Sequence, residues 1–338
     1  MQDPQIEAAA RALEAGQLVA FPTETVYGLG ADAENPAAVA AIYAAKGRPQ
    51  DHPVIVHVAP GASLDYWCAD IPAEAWQLAD AFWPGPLTMI LKRAPNIPDA
   101  VSGGQDTVGI RCPSHPVAIA LLQAFKDGKG GVAAPSANKF GHVSPTTAQH
   151  VRDEFGDDPR LAGVLDGGQS EVGIESTIVD LSRLNSHGPV LLRPGHISAE
   201  AIAAVIDQVP ARPDAAAPRA SGTLESHYAP HTPVAMQDTA TLLDSLTRLQ
   251  QAGRKVALIH YSPLPALHAQ VQLPATPAGF AHALYAALRA MDGVQADLIL
   301  VEAPPQDGAW LGVNDRLRRA AHGSTGIVHG LINNTIDL

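Results

Sequence analysis

The stretch from residue 18 to residue 58 constrains the fold most, because apolar runs and polar turns alternate within it over a short distance. The run Leu18–Phe21 has the length of a buried strand and stops at a proline and a polar turn. A helix is predicted over Asn35–Ala45, with asparagine as its N-cap and proline at its first position. A basic loop, Lys46–Pro49, leads into a second apolar run, Pro53–Val58. Open α/β sheets bind ligands where strands end, so this stretch predicts half of a ligand site.

Two glycines of this stretch, Gly28 and Gly30, fit the G-x-G-x-x-A pattern of dinucleotide-binding proteins, with Ala33 as the last member. In such proteins the glycines follow a strand directly and open a helix. Here Pro22–Tyr27 separates them from the strand, and the helix starts only at Asn35. We therefore interpret them as positions where the backbone passes close to a ligand or to another strand. The chain also lacks a G-x-x-x-x-G-K-[ST] motif, which excludes a P-loop.

The pattern of apolar runs divides the chain into two predicted domains. Residues 1–209 contain many short, unevenly spaced strand patterns, which predict an α/β domain with a twisted mixed sheet and helices on its faces. Residues 210–233 are rich in proline, alanine and small polar residues, which predicts a linker. Residues 234–338 alternate between helix and strand patterns, which predicts a smaller Rossmann-like α/β domain.

Composition argues against several functional classes. The chain has 22 basic and 34 acidic residues, so its net charge of -12 is unlike that of a polybasic nucleic-acid-binding protein. Its two cysteines, Cys68 and Cys112, are far apart and fit neither a disulfide framework nor a metal-ligand spacing. The first residues do not form a signal peptide, and no apolar run approaches the length of a membrane span. We therefore expect a cytoplasmic protein without a membrane association.

Four cations occupy positions that suit one anion site. Lys46 and Arg48 follow a helix end, where basic residues ordinarily complement the helix dipole. Arg111 and Arg193 end the predicted strands TVGIR and VLLR. Several such cations in an acidic chain predict phosphate binding, with arginine as a fork and lysine as a point charge. The polar turn Ser136-Ala137-Asn138 also follows a strand and can donate to phosphate or ribose oxygens.

Carboxylates near these motifs are few, namely Glu24, Asp51, Asp106 and Glu175. Their scarcity argues against carboxylate-based hydrolysis and against a metal held entirely by the protein. A metal would then be Mg²⁺ carried on a nucleotide. His57 lies in an apolar strand, where histidine is more often a satisfied core residue than a ligand.

With Lys46-x-Arg48 and Ser136-x-Asn138 both present, the chain resembles the YrdC/Sua5 family of threonylcarbamoyl-AMP synthases, in its longer Sua5 type. The stretches that carry the resemblance follow the family's order along nearly the whole chain: FPTETVYGLG, KGRPQDHPVIVHV, WPGPLTMIL, TVGIRCP, APSAN, IESTIVD, LLRPG and HYAPHTP. The resemblance implies a YrdC-like catalytic domain over residues 1–209. It also implies an active-site lid, the HYAP segment, within the linker 210–233, and a Sua5 C-terminal domain over residues 234–338.

The resemblance implies an enzyme, a nucleotidyltransferase of the L-threonylcarbamoyladenylate synthase type. Such an enzyme condenses L-threonine, bicarbonate or CO₂, and ATP with its Mg²⁺ to threonylcarbamoyl-AMP and pyrophosphate. The product serves the t6A37 modification of tRNA through downstream threonylcarbamoyl-transfer proteins. This chemistry chiefly needs positioning and charge stabilisation, which a site rich in Arg, Lys, Ser and Thr supplies.

The resemblance also assigns roles to single residues. The tetrad around nucleotide and carbamate is Lys46, Arg48, Ser136 and Asn138. Threonine is held by Thr25, His57, Arg111, Ala134 and Ser176, with Arg111 on its carboxylate. ATP is contacted by Arg48, His52, Thr107, Ser136, Ser144, Arg193 and Tyr228, the last as the lid. His52 stands where many members of the family have asparagine.

Two other functions stay open from the sequence. This fold is associated with double-stranded RNA or tRNA binding, and a non-catalytic binding module needs only a local basic patch, which a net charge of -12 does not exclude. A similar domain also occurs in carbamoyl transfer during hydrogenase maturation. That role requires acylphosphatase and zinc-finger segments, and this chain has no cysteine pairs for the latter.

Overall fold

The computed structural model describes residues 3–264, 269–333 and 335. The chain forms two compact units, one of residues 1–140 and 144–223 and the other of residues 141–143 and 224–338. The first part of the predicted linker, residues 210–223, thus belongs to the first unit, and its remainder to the second. The predicted domain limits themselves stay predictions.

The first unit alternates helices and strands without a regular βαβ repeat. Its helices are α1 (Pro4–Glu14), α2 (Pro36–Lys46), α3 (Leu64–Trp67), α4 (Ala73–Phe82), α5 (Pro116–Ala124), α6 (Ala148–Phe155), α7 (Leu184–His187) and α8 (Ala199–Ile206). Its strands are β1 (Leu18–Phe21), β2 (Gly28–Asp32), β3 (Ile55–Val58), β4 (Cys68–Ala69), β5 (Leu87–Arg93), β6 (Thr107–Arg111), β7 (Gly131–Ala133), β8 (Leu161–Val164), β9 (Thr177–Asp180) and β10 (Val190–Arg193). Short 3₁₀ turns lie at Asp99–Val101 and Phe125–Gly128.

All ten strands belong to one sheet, in the order β10-β9-β5-β6-β3-β7-β2-β1-β8, with β4 paired to β5. The pairs β1/β8, β3/β6 and β5/β9 are parallel, and the other pairs are antiparallel. The predicted mixed sheet with flanking helices is therefore confirmed.

Helices pack on both faces of this sheet, and on one of them they leave several strands to a smaller apolar cluster. Helices α2, α4, α6 and α8 bury side chains such as Val39 and Leu78 on the first face. On the opposite face, α1 and α5 cover β1, β2 and β7, with Leu13 and Leu121 in the core. Over β3, β5, β9 and β10 that face carries only a small apolar cluster: Ile55, Ile90, Ile178, Val190 and Leu192, packed against Ala217 and Ala220. The predicted linker thus covers part of the sheet instead of spanning solvent.

Gly30 lies within β2, where the backbone runs against neighbouring side chains. A Cβ atom on Gly30 would lie 2.8 Å from Cγ1 of Val132 and 2.9 Å from Cε1 of Phe21. These are side chains of β7 and β1, the strands paired with β2. The interpretation of this glycine as a position of close approach is confirmed, and the neighbour is a strand. The strand at Gly28–Asp32 was not evident from the sequence, because β2 has few β-branched or aromatic residues.

The second unit is a smaller parallel α/β unit, as predicted. Its elements are β11 (Val234–Gln237), α9 (Thr239–Gln251), β12 (Val256–His260), β13 (Gln270–Gln272), α10 (Pro277–Asp292), β14 (Leu298–Glu302), α11 (Leu311–Ala320) and α12 (Ile327–Ile332), with a 3₁₀ turn at Gly308–Trp310. The strand order is β11-β14-β12-β13, and all three pairs are parallel. Among the helices that the structure describes, none combines the length and the apolar character needed to cross a bilayer.

Gly30→Ala is expected to lower the free energy of unfolding by about 1–3 kcal/mol, the usual cost of forcing a methyl group into a packed core. Urea denaturation measures the change. Gly163→Ala in β8 is the matched control, because nothing lies within 4 Å of the Cβ atom that it adds. Equal losses of stability in the two variants would contradict the close-approach interpretation.

Candidate active site

The candidate site lies on the partly covered face of the sheet. Side chains alternate between faces along a strand, so His57 shares this face with Ile55, and Arg111 shares it with Gly109. A Cβ atom on Gly109 would lie 3.1 Å from Cδ1 of Ile90 and 3.5 Å from Cγ1 of Ile55. This face of β3 and β6 is therefore the one that carries the small apolar cluster. His57 and Arg111 are direct register partners in the parallel β3/β6 pair. The sequence placed Arg111 at a strand end and His57 within an apolar strand, and the structure brings them side by side on one face.

Arg111 is held by neighbours that fix its guanidinium group. Its Nη2 donates to Oε1 of Glu24 over 2.6 Å, in an ion pair whose side chains are only 4% and 5% exposed. Its Nη1 donates to Oγ1 of Thr25 over 2.9 Å, and its Nε to the Gly85 carbonyl over 3.4 Å. The second carboxylate oxygen of Glu24 accepts from the Ser114 backbone over 3.0 Å. In the described part of the chain these bonds use one N–H of each terminal nitrogen, which leaves a second N–H on each for a ligand.

His57 is buried and electrically neutral. Burial, and then the charge of Arg111, lower the pKa of His57 from 6.5 to about 3. Its ring contacts that of Phe21 edge-on at a centroid distance of 6.1 Å. Among the described residues, its Nδ1 has no hydrogen-bond partner. A buried polar atom in this state suits a ligand, so His57 offers a neutral nitrogen rather than a positive charge.

Three members of the predicted tetrad come together around one amine. Lys46 ends helix α2 and is 3% exposed. Its Nζ donates to the backbone carbonyl of Ser136 over 2.6 Å and also to the carbonyl of Asn138. Burial, and then the charge of Arg48, hold the pKa of Lys46 well below its usual range. The two carbonyls use two of the three donors of the ammonium group and leave one for a ligand.

Arg48 completes the tetrad near the predicted ATP contact His52. Arg48 is 7% exposed and donates from Nη2 to the Pro53 carbonyl over 2.8 Å and to Oγ of Ser221 over 3.4 Å. Its guanidinium carbon lies 5.9 Å from the ring centroid of Phe140, and the His52 ring lies 5.6 Å from the same ring. Burial, and then Arg48, lower the pKa of His52. Phe140 therefore contacts both side chains.

Arg193 and Ser176 form a further cluster. Nε and Nη2 of Arg193 donate to the Ser176 carbonyl over 3.0 and 2.9 Å, and Nη2 also donates to the Ser176 hydroxyl over 3.0 Å. That hydroxyl is 2.8 Å from Oγ1 of Thr88. Nη1 of Arg193 donates to the Ser221 carbonyl over 2.8 Å. Because Arg48 bonds the side chain of the same serine, Ser221 connects two of the predicted phosphate-binding cations.

Two more predicted site residues, Ser144 and Ala134, form hydrogen bonds within the first unit. The hydroxyl of Ser144 donates to Oε1 of Glu175 over 2.5 Å, and both side chains are buried. The backbone N–H of Ala134 donates to the Ile55 carbonyl over 3.0 Å. The group that Ala134 can offer to a ligand is therefore its carbonyl oxygen.

The last two predicted ATP contacts are Thr107 and Tyr228. Thr107 begins β6 on the same face as Arg111, but four residues along an extended strand separate the two by about 13 Å. Tyr228 belongs to the second unit, where it is 1% exposed and has a left-handed backbone with a φ of 60°. Their predicted contacts with ATP stay predictions.

Sequence reasoning gave no role to Glu24, Thr88, Glu175 or Ser221, which directly contact predicted site residues. A signal existed for Glu24, because it is adjacent to Thr25 in the polar turn after β1. Nothing in the sequence indicates that Thr88 and Ser221 lie beside Ser176 and the arginines.

The charge balance of the site is positive. Four cations, Lys46, Arg48, Arg111 and Arg193, are 2–7% exposed. The carboxylates near them in the described contacts are Glu24, which pairs with Arg111, and Glu154 and Glu175, which act on Lys46. The chain as a whole carries a net charge of -12, so this concentration of positive charge is local. Such a site attracts anions. In the described part of the chain, no three His, Cys, Asp or Glu side chains cluster as metal ligands would.

Comparison with known proteins identifies what the whole chain is similar to. A family model for Sua5, YciO and YrdC proteins, described as telomere recombination, matches residues 11–195. A second model, described as the threonylcarbamoyl-AMP synthase C-terminal domain, matches residues 197–322. A threonylcarbamoyl-AMP synthase of Pyrococcus abyssi is 38% identical over 334 residues, which are 95% of each chain. One of Bacillus subtilis is 40% identical over 337 residues, which are 95% of this chain and 94% of the relative.

Similarity extends to a solved structure. The crystal structure of Pyrococcus abyssi Sua5 complexed with L-threonine matches with a TM-score of 0.85 at 37% sequence identity. The match covers 94% of each chain, so it includes both units of the fold.

The neutral state of His57 predicts a pH dependence of stability. The unfolded chain protonates this histidine below pH 6.5, whereas the folded protein does so only near pH 3. Between these values the unfolded state binds more protons, so stability falls as the pH decreases. His57→Gln removes this contribution, and its loss of stability from pH 7 to pH 5 should be about 2 kcal/mol smaller than that of the wild type, at 1.36 kcal/mol per pK unit.

Urea denaturation at the two pH values measures the difference. His196→Gln, at an exposed position, is the matched control and should keep the wild-type dependence. An identical pH dependence in His57→Gln and the wild type would show that His57 is not buried in the neutral form.

Proposed function

This chain belongs to the Sua5/YciO/YrdC family, as the sequence predicted, and from that membership we propose that it is an L-threonylcarbamoyladenylate synthase. It condenses L-threonine, bicarbonate or CO₂, and ATP to threonylcarbamoyl-AMP and pyrophosphate, for the t6A37 modification of tRNA. The observation that carries the proposal is the buried cluster of four cations, with the forked Arg111 among them. A binding module for RNA does not need its cations buried, since the phosphate backbone is bound at an exposed surface.

Threonine binds at Arg111 in this proposal. The N–H donors that remain on its guanidinium group can bond the oxygens of a carboxylate. Glu24 and Thr25 hold the guanidinium in place before the substrate arrives, so little ordering entropy remains to be lost on binding. His57 and the hydroxyl of Ser176 supply neutral polar groups for the rest of the amino acid.

ATP binds at the other cations. Lys46, Arg48 and Arg193 are bonded to neutral oxygens of Ser136, Pro53 and Ser176, so those bonds do not cancel their charge toward phosphate. Nitrogen donors dominate this set, and such donors bind phosphate oxygens rather than a hard cation. Mg²⁺ therefore arrives on the phosphates of ATP and neutralises part of their charge there.

The same cations assist both chemical steps, which are the formation of the carbamate and its attack on ATP. Threonine must attack CO₂ as a free amine, and a site with excess positive charge lowers the pKa of the amine. The carbamate that forms is an anion, which this site stabilises. A carbamate oxygen then bonds the α-phosphorus of ATP while the bond from that phosphorus to the bridging oxygen breaks, and pyrophosphate leaves. Fixed cations stabilise the charge on the phosphoryl oxygens without reorganisation.

The remaining parts of the proposal follow from family membership. Threonylcarbamoyl-AMP passes to downstream tRNA threonylcarbamoyl-transfer proteins in the cytoplasm. Tyr228 of the HYAP segment closes over the bound nucleotide, which excludes water from a reactive mixed anhydride. Contact with RNA is weak in this proposal, because the chain carries a net charge of -12.

The reaction itself provides the direct test. Incubation of the full chain with ATP, Mg²⁺, bicarbonate and L-threonine is expected to release pyrophosphate, which a coupled assay follows. Omission of threonine or of bicarbonate should abolish the release, because neither the carbamate nor its attack on ATP can then form. Pyrophosphate release that is independent of both would reject this function.

Arg111→Lys should affect the affinity for threonine much more than the affinity for ATP. Lysine keeps a positive charge beside Glu24 but replaces the fork by a point charge, so threonine affinity should fall roughly tenfold or more. ATP affinity should change little, because Arg111 is assigned to the carboxylate. Calorimetric titration with L-threonine and, separately, with Mg-ATP measures both.

Arg93→Lys is the matched control, because Arg93 also ends a strand of this sheet and donates to the carbonyls of Ile97 and Gln105. Its threonine and ATP affinities should equal those of the wild type. Equal losses for both ligands in Arg111→Lys would refute the assignment.

A further inference from the structure

One face of α10 holds two segments that are far from it in sequence. Tyr285, Arg289 and Asp292 follow one another at i, i+4 and i+7, which places them on the same side of the helix. The Tyr285 ring packs against that of Tyr228 at a centroid distance of 5.8 Å. Nη2 of Arg289 donates to the backbone carbonyl of Val143. Both partners lie within the second unit.

Asp292 extends the same contact toward the segment after Tyr228. Its carboxylate oxygens accept from the backbone N–H groups of His231 and Thr232 over 3.1 and 2.8 Å. Arg316 from α11 lies over the Tyr228 ring at 5.4 Å from its centroid. The segment 228–232, which contains most of the HYAP motif, is therefore fixed to the second unit by two helices.

Residues 141–143, here called the strap, are fixed to that same segment. The backbone N–H of Ala229 donates to the Gly141 carbonyl over 2.9 Å, and His142 forms an isolated parallel bridge with Ala229. The rings of His142 and His231 meet edge-on at 4.9 Å. The strap is therefore bonded both to the segment 228–232 and, through Arg289, to α10.

The strap matters because of its place in the chain. Val143 is bonded directly to Ser144, and Gly141 lies three residues after Asn138. Both Asn138 and Ser144 belong to the nucleotide side of the proposed site. A peptide chain spans at most about 3.3–3.6 Å per residue, so fixing the strap limits where these two side chains can lie.

We propose that this face of α10 positions the nucleotide-binding residues of the site, and that Arg289 acts on ATP binding through the strap. The inference rests on the proposed function, because it takes Ser144 as an ATP contact and Asn138 as a member of the tetrad around nucleotide and carbamate. It gives the second unit a role in the reaction. Arg289 is a positioning residue, which does not itself touch the nucleotide.

Arg289→Ala tests the inference in the full chain. Loss of the bond to the Val143 carbonyl should weaken Mg-ATP binding about tenfold, which is 1.4 kcal/mol, and leave L-threonine binding unchanged. Arg289→Lys retains a cationic donor for that carbonyl and should recover part of the ATP affinity. Calorimetry with each ligand gives the affinities, and thermal unfolding reports the stability of each variant.

Arg248→Ala is the matched control, because Arg248 is an exposed residue of the same unit, on α9, paired with Asp244 four residues away. It should bind both ligands as the wild type does. An unchanged ATP affinity in Arg289→Ala overturns the inference, and so do equal losses for both ligands. The pyrophosphate assay of the wild type decides the proposed function separately, since the calorimetric comparison needs no turnover.

Discussion

Keeping four cations almost entirely out of water is the constraint on which the first unit depends. Burial of an ion costs several kcal/mol unless hydrogen bonds and opposite charges offset the lost hydration. Different groups offset the lost hydration of the different cations. Arg111 is paired with Glu24, whereas Lys46 and Arg193 are bonded to backbone carbonyls. Carbonyls offset desolvation and leave the charge available to an anionic ligand.

This arrangement also explains why the site is built before its ligands arrive. Neighbours from other parts of the chain hold the arginines, such as Thr25 in the turn after β1 for Arg111 and Ser176 just before β9 for Arg193. Donors that are already oriented need no reorganisation when charge develops on a phosphoryl group. The neutral His57 fits the same logic, because a further cation beside Arg111 would raise the cost of burial.

The proline-rich stretch after α8 shows how composition can mislead. Its residues have the character of a spacer, yet Ala217 and Ala220 cover the apolar cluster on the sheet. Ser221 bonds both Arg48 and Arg193. Small residues suit this position because the chain must lie close to the sheet and to the arginines. A linker composition is therefore compatible with a packed segment.

The sequence by itself indicated most of the helices and strands, though not β2, and the family to which the protein belongs. Apolar periodicity predicted the mixed sheet and the parallel second sheet, and the motifs around Lys46 and Ser136 identified the family. Only the tertiary structure decided that Glu24 pairs with Arg111, that Ser221 joins two arginines and that residues 141–143 belong to the second unit. The physical reason is that periodicity reports the local face of an element. Which distant side chains meet depends on strand order and register, and these emerge only when the whole sheet is assembled.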